Sequence, residues 1–423
     1  MWWSSPDRHM NLHNNFPVRA AVVLVVATFT AAAPAPAADW QFNPTVEVGA
    51  MSDNNLRLDH GGERVDVAGA FGSGRFELRA TTPLAQFSIT PRVEATHFPA
   101  DADRDEDYVD GGVGMLWLRR WRTGLSRFQA DFDDSSTVTG NRPDASPEDG
   151  ELGEPDAPGD SGSLTASNRM QTLNLRQTLR FDVSQRDALE LSAGFFDRDF
   201  DEQVINEDVS FTALTGRIGW SRQLHERSSL GLRGRVLRFD PELIPLVSTN
   251  LGLEGEWRYQ VSERVESYVR AGASRASFKA SAGPDPDSRT AFVGGAGASW
   301  QLQVSRIFLD LTRTVDPNSA GVTVQRNQAR VRLDRDFSER ARGSLAMRFI
   351  ADEGPAGFNE RRYAVVSIGS EWRFTRAWSL AGRFDHRWQD YELTPGSASS
   401  NALRLSVIYQ PRREAANSGS LLD

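Results

Sequence analysis

Between Leu251 and Phe278 the chain alternates apolar and polar residues with a period of two. Leu251, Leu253, Gly255, Trp257 and Tyr259 fall on one side, and Gly252, Glu254, Glu256, Arg258 and Gln260 on the other. A strand sends successive side chains to opposite faces, so this pattern predicts one apolar wall and one charged wall. The link Val261-Ser262-Glu263-Arg264 turns the chain, and a second long alternating segment runs back. Both segments exceed the roughly 5–6 residues of an ordinary globular strand. Each approaches the roughly 9–11 that cross a bilayer when tilted.

The same unit recurs along the chain. Compact links with Ser or Thr just ahead of Arg appear at Ser184-Gln185-Arg186, Ser262-Glu263-Arg264, Ser338-Glu339-Arg340 and Thr375-Arg376, with related links at Ser126-Arg127, Ser305-Arg306 and His225-Glu226-Arg227. From Arg186 to Arg376 the spacing, 34–42 residues, is also that of a β-propeller, whose blades hold four short strands. Here each period holds two long strands, one tight turn and one variable loop, which favours a barrel of hairpins. Tight turns near Pro83, Thr123, Gln185, Glu226, Glu263, Val304, Glu339 and Thr375 predict about 18 strands. The expected fold is all-β: a transmembrane antiparallel barrel with tight periplasmic turns and longer extracellular loops. The longest loop, 131–168, is rich in Asp, Glu, Gly, Pro and Ser.

The amino terminus has the layout of a secretory signal peptide. Arg8 and Arg19 precede an apolar run from Ala20 to Ala33, and Ala35-Pro36-Ala37 forms a small-residue cleavage site. Residues 1–37 are read as this signal, with Met10 a second candidate start beside Met1. Residues 38–412 are the barrel and 413–423 a polar tail. Past the signal no apolar run reaches the about 18 residues of a membrane helix, so any crossing is made by strands. Cysteine is absent, which removes disulfides and thiolate chemistry. The formal net charge is −9, and nucleic acid is not an expected partner.

Aromatics give an independent sign. Trp117, Phe181, Trp220, Trp257 with Tyr259, Trp300, Phe337, Trp372 with Phe374, and Tyr409 all approach a tight turn or the chain's last strand end. Tyr and Trp favour the membrane interface, and such a ring at one rim is the girdle of an outer-membrane barrel.

The polar wall holds the candidate functional residues. Arg176, Arg180, Arg233, Arg235, Arg258, Arg330, Arg332, Arg383 and Arg387 are predicted to line the lumen, with Glu254, Glu256 and Asp334 on the same face. Rows of guanidinium groups lower the barrier to anions. Arginine and carboxylate on one face also pair across strands and stiffen the wall, and the sequence leaves both roles open.

Catalysis is not expected. Past the signal only His60, His97, His225 and His386 remain, and none stands at same-face spacing from a serine nucleophile. Asp101, Asp103, Asp105 and Asp107 alternate as calcium ligands do, but the turn glycine and closing Glu of a calcium loop are missing. No metal or cofactor is expected.

The opening Trp40-Gln41-Phe42-Asn43-Pro44, the corner Ser52-Asp53-Asn54-Asn55 and the hairpin repeat carry a resemblance. The chain resembles the β-barrel porin 2 family and the outer-membrane barrels found beside exopolysaccharide and exosortase gene clusters. The resemblance implies an outer-membrane barrel of Gram-negative bacteria and a place in polysaccharide export; it carries no catalytic residues. The chain departs from the usual terminal aromatic, because the polar tail Pro411 to Asp423 follows Tyr409. The expected function is a porin-like channel for small solutes or exported polysaccharide. The alternative is a non-conducting structural or assembly barrel of a secretion system. Expected partners are outer-membrane lipid and lipopolysaccharide, the barrel assembly machinery and polysaccharide-export proteins.

Overall fold

The computed structural model describes residues 38–59, 64–99, 107–137, 168–203, 208–281, 285–355, 360–393 and 396–411. The proposed signal, most of the long acidic loop, His60, Asp101, Asp103, Asp105 and the polar tail lie outside the described residues.

Eighteen strands follow one another along the chain. They are β1 (Asp39–Asp53), β2 (Val67–Thr81), β3 (Ala85–His97), β4 (Tyr108–Trp121), β5 (Gly124–Ser136) and β6 (Arg169–Asp182). Then come β7 (Asp187–Phe200), β8 (Phe211–His225), β9 (Ser228–Pro241), β10 (Leu246–Ser262), β11 (Val265–Ala280) and β12 (Arg289–Gln301). The last six are β13 (Ser305–Pro317), β14 (Thr323–Ser338), β15 (Ala341–Glu353), β16 (Arg361–Arg373), β17 (Trp378–Tyr391) and β18 (Ser397–Tyr409). Each pairs antiparallel with its sequence neighbours, and β1 pairs with β18 as well as β2. The sheet closes on itself, so this is an antiparallel barrel of 18 strands. No helix among the described residues is long and apolar enough to cross a membrane.

Chemistry explains the recurring turn marker. Ser184 Oγ accepts from the amides of Arg186 and Asp187, at 3.1 and 3.0 Å. Ser338 Oγ accepts from Arg340 and Ala341, Thr375 Oγ1 from Ala377 and Trp378, and Ser262 Oγ from Arg264. A hydroxyl that captures amides two or three residues on holds the chain in a tight turn. At these four turns the marker is a hydroxyl cap, and all eight tight turns lie at one rim with the start of β1 and the end of β18.

One part of the ladder is incomplete. β12 pairs with β13 only from Gly294↔Arg313 down to Gln301↔Arg306. Above that level Arg289 to Val293 pair only with β11, and Thr314 to Pro317 only with β14. The wall forks there on the loop side.

Candidate functional site

In a closed barrel, side chains of strands three or more places apart meet only through the interior. Arg235 on β9 reaches Asp316 on β13 at 2.9 Å, and Arg404 on β18 reaches Glu94 on β3 at 3.0 Å. These residues therefore point inward, and the cross-strand register carries that assignment to every strand. In β10 the even positions from Ser248 to Arg258 face in; Leu251, Leu253, Trp257 and Tyr259 face out and are exposed.

All twelve predicted lumen residues fall on the inner face, and most pair with opposite charge. Arg233 and Arg258 converge on Glu256, at 3.1 and 2.6 Å. Arg330 holds Asp310 at 2.8 Å, Arg332 holds Asp334 at 2.7 Å, and Arg383 holds Asp385 at 2.9 Å. Glu254 lies 3.5 Å from Arg270. Arg180 is 3.4 Å from Asp182, both well exposed, and Arg176 stands opposite Gln129 and Gly194. Arg387 is fully buried; it donates to Asp53 at 2.5 Å and to Ser400 at 3.0 Å. Wall pairing is thus realised in most of the row. Even so, among the described strand positions inward arginines outnumber inward carboxylates, so the lining is cationic inside an acidic chain.

The densest cluster includes residues that the sequence reading passed over. Asp310 is completely buried between Tyr268 and Arg330, and Arg270 lies beside Tyr268. Tyr268 reaches Asp310 across β12 because Gly297 leaves room: a Cβ there would stand 2.5 Å from the Tyr268 ring. The readable signal was a lone carboxylate inside the apolar run Ile307-Phe308-Leu309-Asp310-Leu311. Arg326 with Asp352, and Arg92 with Asp133, were also missed.

The outer face is apolar. Leu253 is 58% exposed, Ile368 53% and Leu405 53%, values that water-facing leucines rarely reach in rows. Near the turn rim the aromatics sit in pairs: Trp121 with Phe181, Trp257 with Tyr259, Trp372 with Phe374, and Trp378 with Tyr409 at 4.8 Å between centroids. A closed barrel with an apolar belt and an aromatic girdle stands in the bacterial outer membrane, its backbone satisfied strand to strand.

The loop rim is partly covered from within. Leu56 and Leu58 fold inside and are buried against different walls, Leu56 near Met51 and Phe71, Leu58 near Ile350 and Tyr363. Leu58 carries a φ of 53°, and Gln389 donates to its carbonyl at 2.9 Å. Across the mouth, the Val209 amide donates to the Ser319 carbonyl at 2.8 Å, joining the β7–β8 loop to the β13–β14 loop. Gly321, at φ 77°, lies against Ile244 where a Cβ would clash. No dedicated plug domain is needed for this narrowing, which uses residues 54–59, 208–210 and 318–322.

The remaining candidates are spent locally. His97 Nδ1 lies 2.6 Å from Asp107, and the Phe98 amide donates to the same carboxylate at 2.7 Å. These contacts, the amide first, hold the Asp107 carboxyl below its ordinary value. His386 faces outward and contacts Asn401 at 2.9 Å. His225 ends β8 beside a tight turn and accepts at its carbonyl from Gln223.

No family model matches the chain, and no curated protein matches it. Solved structures do. OccAB4 of Acinetobacter baumannii is 13% identical over 88% of this chain and 98% of its own, with a TM-score of 0.44. The outer membrane protein opdK of Pseudomonas aeruginosa is 13% identical over 88% and 98%, at 0.42. A BenF-like porin from Pseudomonas fluorescens Pf-5 is 11% identical over 88% and 99%, at 0.46. Likeness at this distance says nothing of what this chain carries, and the fold stands on the strand ladder itself.

Proposed function

We propose that the protein is a porin-like channel of the outer membrane that passes small anionic solutes. The observation that carries this reading is the arginine excess on the inner face of an 18-stranded barrel. A barrel of that size is too wide for wall side chains to fill, so a water path follows the lining. Guanidinium stays charged at any accessible pH, and pairing with carboxylates weakens its field without removing it. The polysaccharide-export role implied by the family resemblance fits less well, because three inward loop segments narrow the mouth.

The test is electrical. Purified full-length protein in planar bilayers is expected to show discrete conductance steps. Under a potassium chloride gradient its reversal potential should report anion preference. Arg176→Ser with Arg180→Ser should leave a folded, heat-modifiable barrel whose preference moves toward cations. Silence at all voltages would overturn the channel reading in favour of a non-conducting structural barrel. Unchanged selectivity in the double variant would assign these arginines to the wall alone.

A further inference from the structure

The fork between β12 and β13 leads into a cavity. Above Gly294↔Arg313 the tip of the β13–β14 hairpin leaves the wall and bends inward. Thr323, outward by register on β14, meets Ser248 on the inner face of β10, with 2.7 Å between their hydroxyl oxygens. Val315, also outward by register, is buried rather than lipid-exposed. The outer face of the tip therefore lies behind the inner face of β10 to β12, as in a scroll. Between the two layers is a cavity of about 520 Å³.

Its walls differ from those of the lumen. Phe239, Leu246, Ala276, Phe278, Val315 and Val324 give it apolar walls, with the hydroxyls of Ser248, Ser274, Thr290 and Thr323 among them. Its charged lining residues are Asp287, just before β12, Arg289 at the start of β12 and Glu353 at the end of β15. Arg289, Thr290 and Ala291 come from the unpaired edge of β12 and Val315 from that of β13, so the cavity is lined from both sides of the missing ladder. Below the fork Arg313 stands 3.5 Å from Glu353. Beside it Phe292 is 60% exposed on the belt. Ligand pockets span roughly 300–1,000 Å³ with mostly apolar lining and a few polar groups, which this cavity matches. Water would gain little there, because it needs two to four polar partners at each position.

We propose that this cavity binds the alkyl chain of a single-chain membrane amphiphile, which enters sideways through the fork. The chain lies between the layers, and the head stays among the mixed charges at the mouth, where a zwitterion finds both signs. The site is independent of the channel reading, since it lies behind the tip and not on the arginine row.

Because the chain contains no cysteine, Ala291→Cys supplies a single thiol on the cavity wall, and Ala381→Cys supplies a control on the inner face of β17. Both full-length variants would be held in an amphipathic polymer free of detergent and alkylated with a water-soluble maleimide. The probe is dodecylphosphocholine below its micelle concentration. At about ten times its Kd, occupancy should slow alkylation of Cys at 291 about tenfold while the control is unchanged. The six-carbon homologue should give no protection. Equal slowing at both thiols means surface adsorption and overturns the proposal, as does no slowing at either. Equal protection by the six-carbon homologue would place recognition in the head group and overturn the alkyl-chain site. A Val315→Trp change in the Ala291→Cys background should abolish protection by filling the cavity; if protection persists with the barrel still heat-modifiable, the occupant lies elsewhere.

Discussion

Arg387 and Asp53 show how the interior wall trades charge for order. Both are almost fully buried, and Asp53 also accepts from Ser400 at 2.5 Å and from the Asn55 amide at 3.0 Å. Arg387→Met would leave that carboxylate without its counterion, which costs about 3–5 kcal/mol when one partner of a buried pair is removed. The urea midpoint for loss of heat-modifiable mobility should fall accordingly, and Arg387→Met with Asp53→Leu should recover most of it. Asp107 makes a different, pH-dependent contribution. Its carboxyl is held below the ordinary 3.8 by the Phe98 amide and His97. A depressed carboxyl stabilises its contacts fully above the unfolded value and loses that contribution as pH falls below it through the folded value. The protection factor of the Phe98 amide, exchange measured against the intrinsic rate at each pH, should therefore fall in acid in the native protein but not in Asp107→Asn. Arg387 was legible as an inward residue because it shares parity with Arg383 and Asp385. Its partner Asp53 was legible only as part of a corner motif, since nothing in a linear pattern says that a residue of β1 meets one of β17 through the interior.

Strand by strand, period two was enough to assign faces. Leu253 and Glu254 are neighbours on opposite walls, the first exposed and the second beside Arg270. Arginine at a midplane lipid-facing position costs about 2–4 kcal/mol, so Leu253→Arg should lower the yield of inserted, heat-modifiable barrel. Glu254→Gln should insert normally. Equal loss from both would mean that the faces are reversed. The fork was not legible for the opposite reason. Gly294, Gly295, Ala296, Gly297 and Ala298 of β12 alternate nothing, and Arg289 to Val293, where pairing with β13 is lost, read as an ordinary continuation of the same strand. Small side chains also remove the cross-strand contacts that fix register. The same glycines let Tyr268 reach Asp310; Gly297→Val should displace that ring and lower stability more than Tyr268→Phe does alone, read as the urea midpoint.

For the whole molecule, the recurring tight turns made the strand number countable, several of them closed by a Ser or Thr hydroxyl that captures amides two or three residues on. What the loop tips do inside the mouth was hidden, since Asn318-Ser319-Ala320-Gly321 reads as any short loop. Their joint closure depends on contacts among three loops far apart in sequence. Replacing residues 318–322 by Gly-Gly removes the bond between Val209 and Ser319. Unitary conductance in planar bilayers should then rise while ion preference stays as in the native protein. An unchanged conductance would show that the narrowest part lies lower, at the level of Asp310 and Arg330.

The seam between β1 and β18 has a kinetic meaning. The pairs that close the barrel run from Asp53↔Ala402 to Val46↔Tyr409, joining the first strand to the last. Every other neighbour pair is local and can zip as soon as its hairpin exists. β1 alone must wait with an exposed edge until the last strand has been made and delivered. Edges left open this long recruit other chains, and long-range pairing is slow because loop closure comes before its reward. The step most in need of a helper during biogenesis is thus the meeting of these two strands, and a delay there is where copies of this protein would begin to aggregate.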